Sequence, residues 1–87
     1  MYHVYILKSG KDNWYYVGST NNLDRRIQEH NLGKVQSTKS HRPLILVYKE
    51  EYAKEDKARS REFEIKKRRI VKEQIIKNID KSGFLSA

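Results

Sequence analysis

This sequence predicts an α/β fold of the α+β kind: one small sheet with helices packed against it. Three observations predict it. Two runs rich in aromatic and β-branched residues, "YHVYILKS" and "WYYVGS", stand on either side of the turn-forming "GKDN". A continuous apolar run, "LILVY", follows a polar, basic loop. From Lys54 onward neither Pro nor Gly occurs until Gly83, and the composition favours helix.

The first two runs read as a hairpin. With a loop from Gly10 to Asn13, Tyr5 pairs opposite Gly18 and Leu7 opposite Tyr16, and Tyr5, Leu7, Trp14 and Tyr16 share one face. A loop one residue longer would split that set. "TNNLDRRIQEHNLG" carries the marks of a complete helix. Asn21 or Asn22 caps its free N–H groups, and Asn31 with Gly33 provides a left-handed exit. Leu23 and Ile27 face the sheet, Arg26 and His30 lie beside that stripe, and Arg25 and Glu29 point away and are spaced to pair.

The run Leu44–Tyr48 reads as a strand covered on both faces. A single straight helix from Lys54 would reach about 40 Å, too long for so small a domain, so a break is expected between Arg68 and Val71. Val71, Ile75 and Ile79, with Ile76 beside them, form the apolar stripe of the final helix. One domain is expected over residues 1–80, with 81–87, "KSGFLSA", as a loose tail.

Composition narrows the function. Nineteen Lys and Arg against eleven acids give a net charge of +8, which favours polyanionic partners. Lys66, Lys67, Arg68 and Arg69 form one block, and Lys34, Lys39 and Arg42 punctuate a loop, so these seven residues are the candidate nucleic-acid contacts. The absence of cysteine removes disulfides and thiolate zinc sites and fits a reducing compartment. Neither a signal segment nor a membrane span is visible, so a soluble cytoplasmic protein is the expectation. Three histidines without close pairing do not form a zinc site, and no Walker loop, Rossmann glycine pattern or nucleophile elbow occurs.

Glu62 is the oddest residue. Ala58 and Ile65 mark a buried stripe four and three residues from it, and Phe63 is expected to border the same arc. A bare carboxylate there is costly. Either a nearby Arg or Lys pairs with it, or it serves as a ligand for a hard cation such as Mg²⁺. Tyr5 and Tyr16 taken singly read as half-buried strand tyrosines, Arg26 as a surface arginine and His30 as a charged residue at a helix C-terminus.

In combination these residues resemble the GIY-YIG nuclease family. His3-Val4-Tyr5 stands for the first name motif and Tyr16-Val17-Gly18 for the second, followed by "STNNLDRRIQEH" with Arg26 and His30, then "GKVQSTKSHRPLILVYKE" and "ARSREFEIK" with Glu62. The likeness spans about residues 2–67 and is closest to the short, single-domain members. It implies a three-stranded antiparallel sheet, first strand central, flanked by three helices. It also implies a DNA endonuclease that cleaves a phosphodiester bond with one divalent metal, Mg²⁺ or Mn²⁺. By the same resemblance Glu62 holds the metal, and Tyr16 is the general base with Tyr5 and His30 as neighbours or alternative bases. Arg26 binds the phosphate. A free phenol ionises near pH 10, so a phenolic base needs help from the metal and Arg26.

Two departures stand out: His3 replaces the first glycine, and Ser19 replaces the lysine that DNA-repair members carry after Tyr-Val-Gly. No separate targeting domain is visible, so the expectation is weak activity alone, with room for a protein partner that targets it. Two other readings stay open: a nucleic-acid-binding module of the same fold with little or no cleavage, and an RNA- or ribosome-associated basic protein in which Glu62 is merely ion-paired.

Overall fold

Hairpin loop length sets the register of the whole sheet. In the computed structural model, which describes residues 1–82 and side chains through residue 79, β1 (Tyr2–Ser9) turns back after a loop closed by Ser9 N–H donating to Trp14 O at 2.9 Å. β2 (Tyr15–Thr20) returns antiparallel, with Tyr5 opposite Gly18 and Leu7 opposite Tyr16, as the four-residue loop requires. Helix α1 (Leu23–Asn31) is capped by Asn22, whose side chain accepts from Arg25 N–H, and it ends at Gly33 with a φ of +80°. Asn31 stays helical. Its amide bonds both the N–H and the C=O of Leu44, which pins α1 to the start of the third strand.

β3 (Leu44–Tyr52) pairs antiparallel with β1, giving the order β2-β1-β3 with β1 central. The strand runs past the expected apolar stretch through Lys49, Glu50 and Glu51, because β1 offers free backbone groups back to Tyr2. A register shift between Ile6 and Leu7 turns both Val47 and Tyr48 toward the same core, while Leu44 and Leu46 join the opposite one. As an edge strand it is only partly covered, and Ile45 is exposed.

Alternation along the strands builds a core on each face. Tyr5, Leu7 and Leu44 pack with Trp14, Tyr16, Leu23 and Ile27 against α1. Val4, Ile6, Val17 and Val47 pack with Ala58 and Ile65 of α2 (Glu55–Lys67) and Ile75 and Ile79 of α3 (Arg69–Ser82). The helix break falls at Arg68, whose φ of −99° and ψ of 94° leave the helical region. Helix α3 extends through Ser82, two residues into the expected tail; the rest of that segment, residues 83–87, lies outside the described residues.

Phe63 does not border the buried arc of α2. At 100° per residue it stands about 140° from Ala58, and it is 62% exposed.

Candidate active site at the edge of β2

The period-two alternation of β2 divides the candidate residues between the sheet's two faces. Tyr16 and Gly18 face α1, whereas Val17 and Ser19 face α2. Gly18 is required by its neighbour across the strands: a Cβ there would lie 2.6 Å from the Tyr5 hydroxyl and 3.0 Å from a Tyr16 ring carbon. The bare α-carbon lets the Tyr5 phenol cross β2 and reach α1.

On that face a chain of buried hydrogen bonds runs from strand to loop. The Tyr5 hydroxyl lies 3.0 Å from His30 Nε2, and His30 Nδ1 lies 2.8 Å from Thr38 Oγ1. The Thr38 hydroxyl is also within 3.4 Å of the Val35 carbonyl, to which it donates. Thr38 Oγ1 therefore accepts from His30 Nδ1–H, and Nε2 is left to accept from Tyr5. Tyr5 is 1% exposed, and His30 and Thr38 are fully buried. Burial, then the nearby Arg26 guanidinium, lowers the His30 pKa from 6.5 to about 4. The ring is neutral at ordinary pH, which removes the expectation of a charged histidine stabilised by the helix C-terminus. Burial likewise pushes the Tyr5 hydroxyl up to about 12, with Arg26 opposing the rise.

Tyr16 sits beside this chain, its ring centroid 5.0 Å from His30 and 6.3 Å from Tyr5. It is only half-buried, so of the three candidate bases Tyr16 alone has access to solvent. Arg26 reaches the same neighbourhood from α1, with Nη1 donating to Glu29 Oε1 at 3.0 Å. Glu29 therefore turns toward Arg26 and lies 3.9 Å from Arg25, the partner expected for it. Arg26 and Glu29 line a cleft of about 300 Å³ together with Ser19, Thr20, Asn21 and Arg59.

Glu62 approaches from the other face of the sheet. Its Oε1 accepts from Ser19 Oγ at 2.5 Å, and its Oε2 accepts from Lys66 Nζ at 2.6 Å. The Glu62 side chain is 20% exposed and that of Lys66 48%, so the pair lies at a cleft's rim. Lys66 Nζ also sits 5.8 Å from the centre of the Tyr16 ring, which joins the two half-sites around the β2 edge. The Glu62 cleft, about 410 Å³, is lined by Ser19, Arg59, Glu62, Phe63 and Lys66 and shares Ser19 and Arg59 with the Arg26 cleft.

The donor set suits a divalent ion of one kind. Among the described residues no group of three or more His, Asp or Glu side chains could hold a metal. A single carboxylate facing a cleft, next to a hydroxyl, fits Mg²⁺ or Mn²⁺ bound through water and substrate oxygen, and is too poor for zinc.

The remaining candidates lie farther out. Lys34, Lys39 and Arg42 belong to the loop after α1, where Arg42 Nε donates to Lys39 O at 2.9 Å and its guanidinium lies over Gly33. Lys67 Nζ stands 5.6 Å from the Phe63 ring, Arg68 is at the helix break, and Arg69 pairs with Glu73 at 2.9 Å. His3 pairs with Thr20 and Glu51, and its ring lies 3.7 Å from the Glu51 carboxylate. Sequence reasoning missed Thr38 and Arg59. Thr38 is one polar residue in a polar loop, and nothing in its spacing signals a bond to His30. Arg59 lies one helical turn before Glu62 and could have been found from that spacing.

A three-stranded sheet with this edge site defines a class, and comparison with known proteins identifies it. The GIY-YIG catalytic domain pattern matches residues 1–72, so the chain belongs to the GIY-YIG family, a nuclease family. Its relatives are UPF0213 proteins, small single-domain members of that family. A UPF0213 protein of Staphylococcus haemolyticus is 47% identical over 66 residues, covering 75% of this chain and 79% of the relative. One of Clostridium perfringens is 47% identical over 68 residues, covering 77% and 72%. The solution NMR structure of a UPF0213 protein from Bacillus halodurans matches with a TM-score of 0.54 and 37% identity, over 87% of this chain and 82% of that one. Among the described residues no helix is long and apolar enough to cross a membrane.

Proposed function

We propose that the chain is a metal-dependent endonuclease that hydrolyses a phosphodiester bond in DNA. One observation carries the reading. An accessible phenol, a guanidinium and a cleft-facing carboxylate, Tyr16, Arg26 and Glu62, surround one edge of the sheet in a chain whose family is one of nucleases.

In this reading the phenolate form of Tyr16 takes the proton of the attacking water as the water oxygen bonds to phosphorus and the bond to the leaving oxygen breaks, and the leaving oxygen takes up a proton from solvent. Arg26 donates to the non-bridging oxygens and stabilises the charge that grows on them. Glu62 would hold Mg²⁺ or Mn²⁺, which supplies charge stabilisation at the leaving oxygen when bound. Tyr5, His30 and Thr38 are positioning residues here, because their hydroxyls and ring are buried and already bonded to one another. Their bonds hold the Tyr5 ring beside Tyr16 and keep neutral imidazole close to Arg26. Glu29 on Arg26 and Lys66 on Glu62 are half-exposed pairs. Phosphate and metal can replace those partners at small cost. The clustered lysines and arginines supply the affinity for DNA.

Supercoiled plasmid and a panel of end-labelled duplex, branched, flapped and single-stranded DNAs, incubated with Mg²⁺, with Mn²⁺ and with EDTA, test the reading. Metal-dependent nicking of at least one substrate is expected. Binding without nicking under every condition would replace the enzyme with a binding module of the same fold. Binding to RNA alone would remove DNA as the substrate.

A further inference from the structure

The exposed aromatic ring next to Glu62 has no role in the core. Phe63 is 62% exposed, and on α2 the residues fully buried are Ala58 and Ile65. On one side it lines the Glu62 cleft with Ser19, Arg59 and Lys66. On the other it borders a second cleft with Arg61, Lys67 and Arg68, and the Lys67 ammonium lies 5.6 Å from the ring centre. An apolar face set among Arg59, Lys66, Lys67 and Arg68 suits a ligand that carries regular negative charge and flat apolar groups on the same chain.

A nucleic-acid strand has both. We propose that Phe63 is a stacking platform for an unpaired nucleobase beside the scissile phosphate, so that the substrate is single-stranded or unpaired at the cleavage position. The inference rests on the nuclease reading and adds the substrate's structure to it. Glu62 and Phe63 are consecutive residues, so a base on the ring and a phosphate at the carboxylate lie within a nucleotide or so of each other. A base inside duplex DNA is stacked on its neighbours and cannot lie on a side chain without leaving the helix. Stacking on an aromatic ring is tolerant of sequence because every base has a flat face. A second copy of this chain is the weaker occupant: its net charge of +8 would meet the same cluster of cations.

The test uses oligonucleotides that carry the fluorescent base 2-aminopurine, single-stranded and as a duplex of the same sequence. Binding is measured in EDTA for wild type, Phe63→Ala and Phe63→Tyr. Wild type is expected to quench the single-strand probe. Phe63→Ala should weaken single-strand binding on the order of tenfold, leave duplex binding within about twofold, and keep the slope of log K against log salt, because no phosphate contact is lost. Phe63→Tyr should restore the quenching. Equal loss on both probes, no loss on either, or a change in sedimentation that makes Phe63 a protein contact would overturn the proposal. Those outcomes leave the nuclease reading intact if wild type nicks DNA with Mg²⁺. Wild type that neither binds nor nicks any DNA would instead remove that reading, and this one with it.

Discussion

Changing Glu62 to Gln separates a ligand for a metal from a structural ion pair, because the surroundings of Glu62 fix what the change can cost the fold. The carboxylate has two partners, Ser19 and Lys66. Lys66 lies four residues on, with its side chain 48% exposed. Such an i,i+4 pair contributes about 0.3–0.5 kcal/mol. Ser19 can still donate to the amide oxygen of Gln, at the loss of part of one charge-assisted hydrogen bond, about 0.5 kcal/mol. The sum is about 1 kcal/mol, which lowers Tm by about 4–8 °C in a domain of this size. Breaking a fully buried pair would cost about 3–5 kcal/mol. Activity should respond far more strongly. Loss of a residue that merely supports a metal ligand costs 10–100-fold, so loss of the ligand itself should reduce Mg²⁺-dependent nicking by about 100-fold or more. Metal-free DNA binding should hold or tighten, since one negative charge leaves the cleft and Lys66 is released. Thermal melting, binding in EDTA and plasmid nicking on the one variant provide the assay. Nicking within a few-fold of wild type would refute the metal-ligand role, and a fall in Tm of 15 °C or so would refute the rim-exposed pair.

Tyr16→Phe should reduce nicking by about 100-fold or more while DNA affinity and melting stay near wild type; cleavage at the wild-type rate would shift the base role elsewhere. His30 binds its proton more weakly folded, at about 4 against 6.5 when free, so the unfolded chain takes up the extra proton between those values. Stability should therefore fall as pH drops from about 6.5 toward 4, by up to about 3 kcal/mol, and urea midpoints should show that fall growing in Thr38→Val, where the Nδ1–H of a protonated His30 has lost its acceptor. DNA affinity should drop steeply with salt, and Lys67→Ala should reduce the log–log slope by about 0.9 on duplex DNA; Arg69→Ala should change it less, because Glu73 already engages that guanidinium.

Local chemistry was legible wherever one short segment determined it. The four-residue loop was enough to place Tyr5 opposite Gly18, and the length of the unbroken helical stretch required the break found at Arg68. Asn22 was one of two candidate caps, and the geometry selects it. Contacts between distant segments were harder to read. The Ser19–Glu62 bond spans 43 positions, and Ser19 looked only like the loss of a lysine. The apolar run marks β3 only as far as Tyr48, and Lys49, Glu50 and Glu51 continue the strand through backbone pairing to β1. Glu50 also receives Arg61 and the Tyr48 and Tyr52 hydroxyls, a network that spacing along either element does not reveal.

The position of the site follows from the sheet's smallness. With three strands and β1 in the middle, every strand but one is an edge, and a helix covers each face. A group on α1 and a group on α2 cannot meet through β1, whose Val4, Tyr5, Ile6 and Leu7 are buried. They can meet only around an edge strand, and β2 is the one followed directly by α1. Ser19 and Tyr16, three residues apart in β2, face opposite sides and so give Glu62 and His30 a common boundary. Gly18 between them has no side chain to stand in the way, which lets buried Tyr5 reach His30 while Tyr16 keeps its access to water. The phenol held in the interior is thereby suited to orientation and the phenol at the edge to chemistry. In the proposed nuclease reading, a division of labour between the two tyrosines follows from their places in the strands.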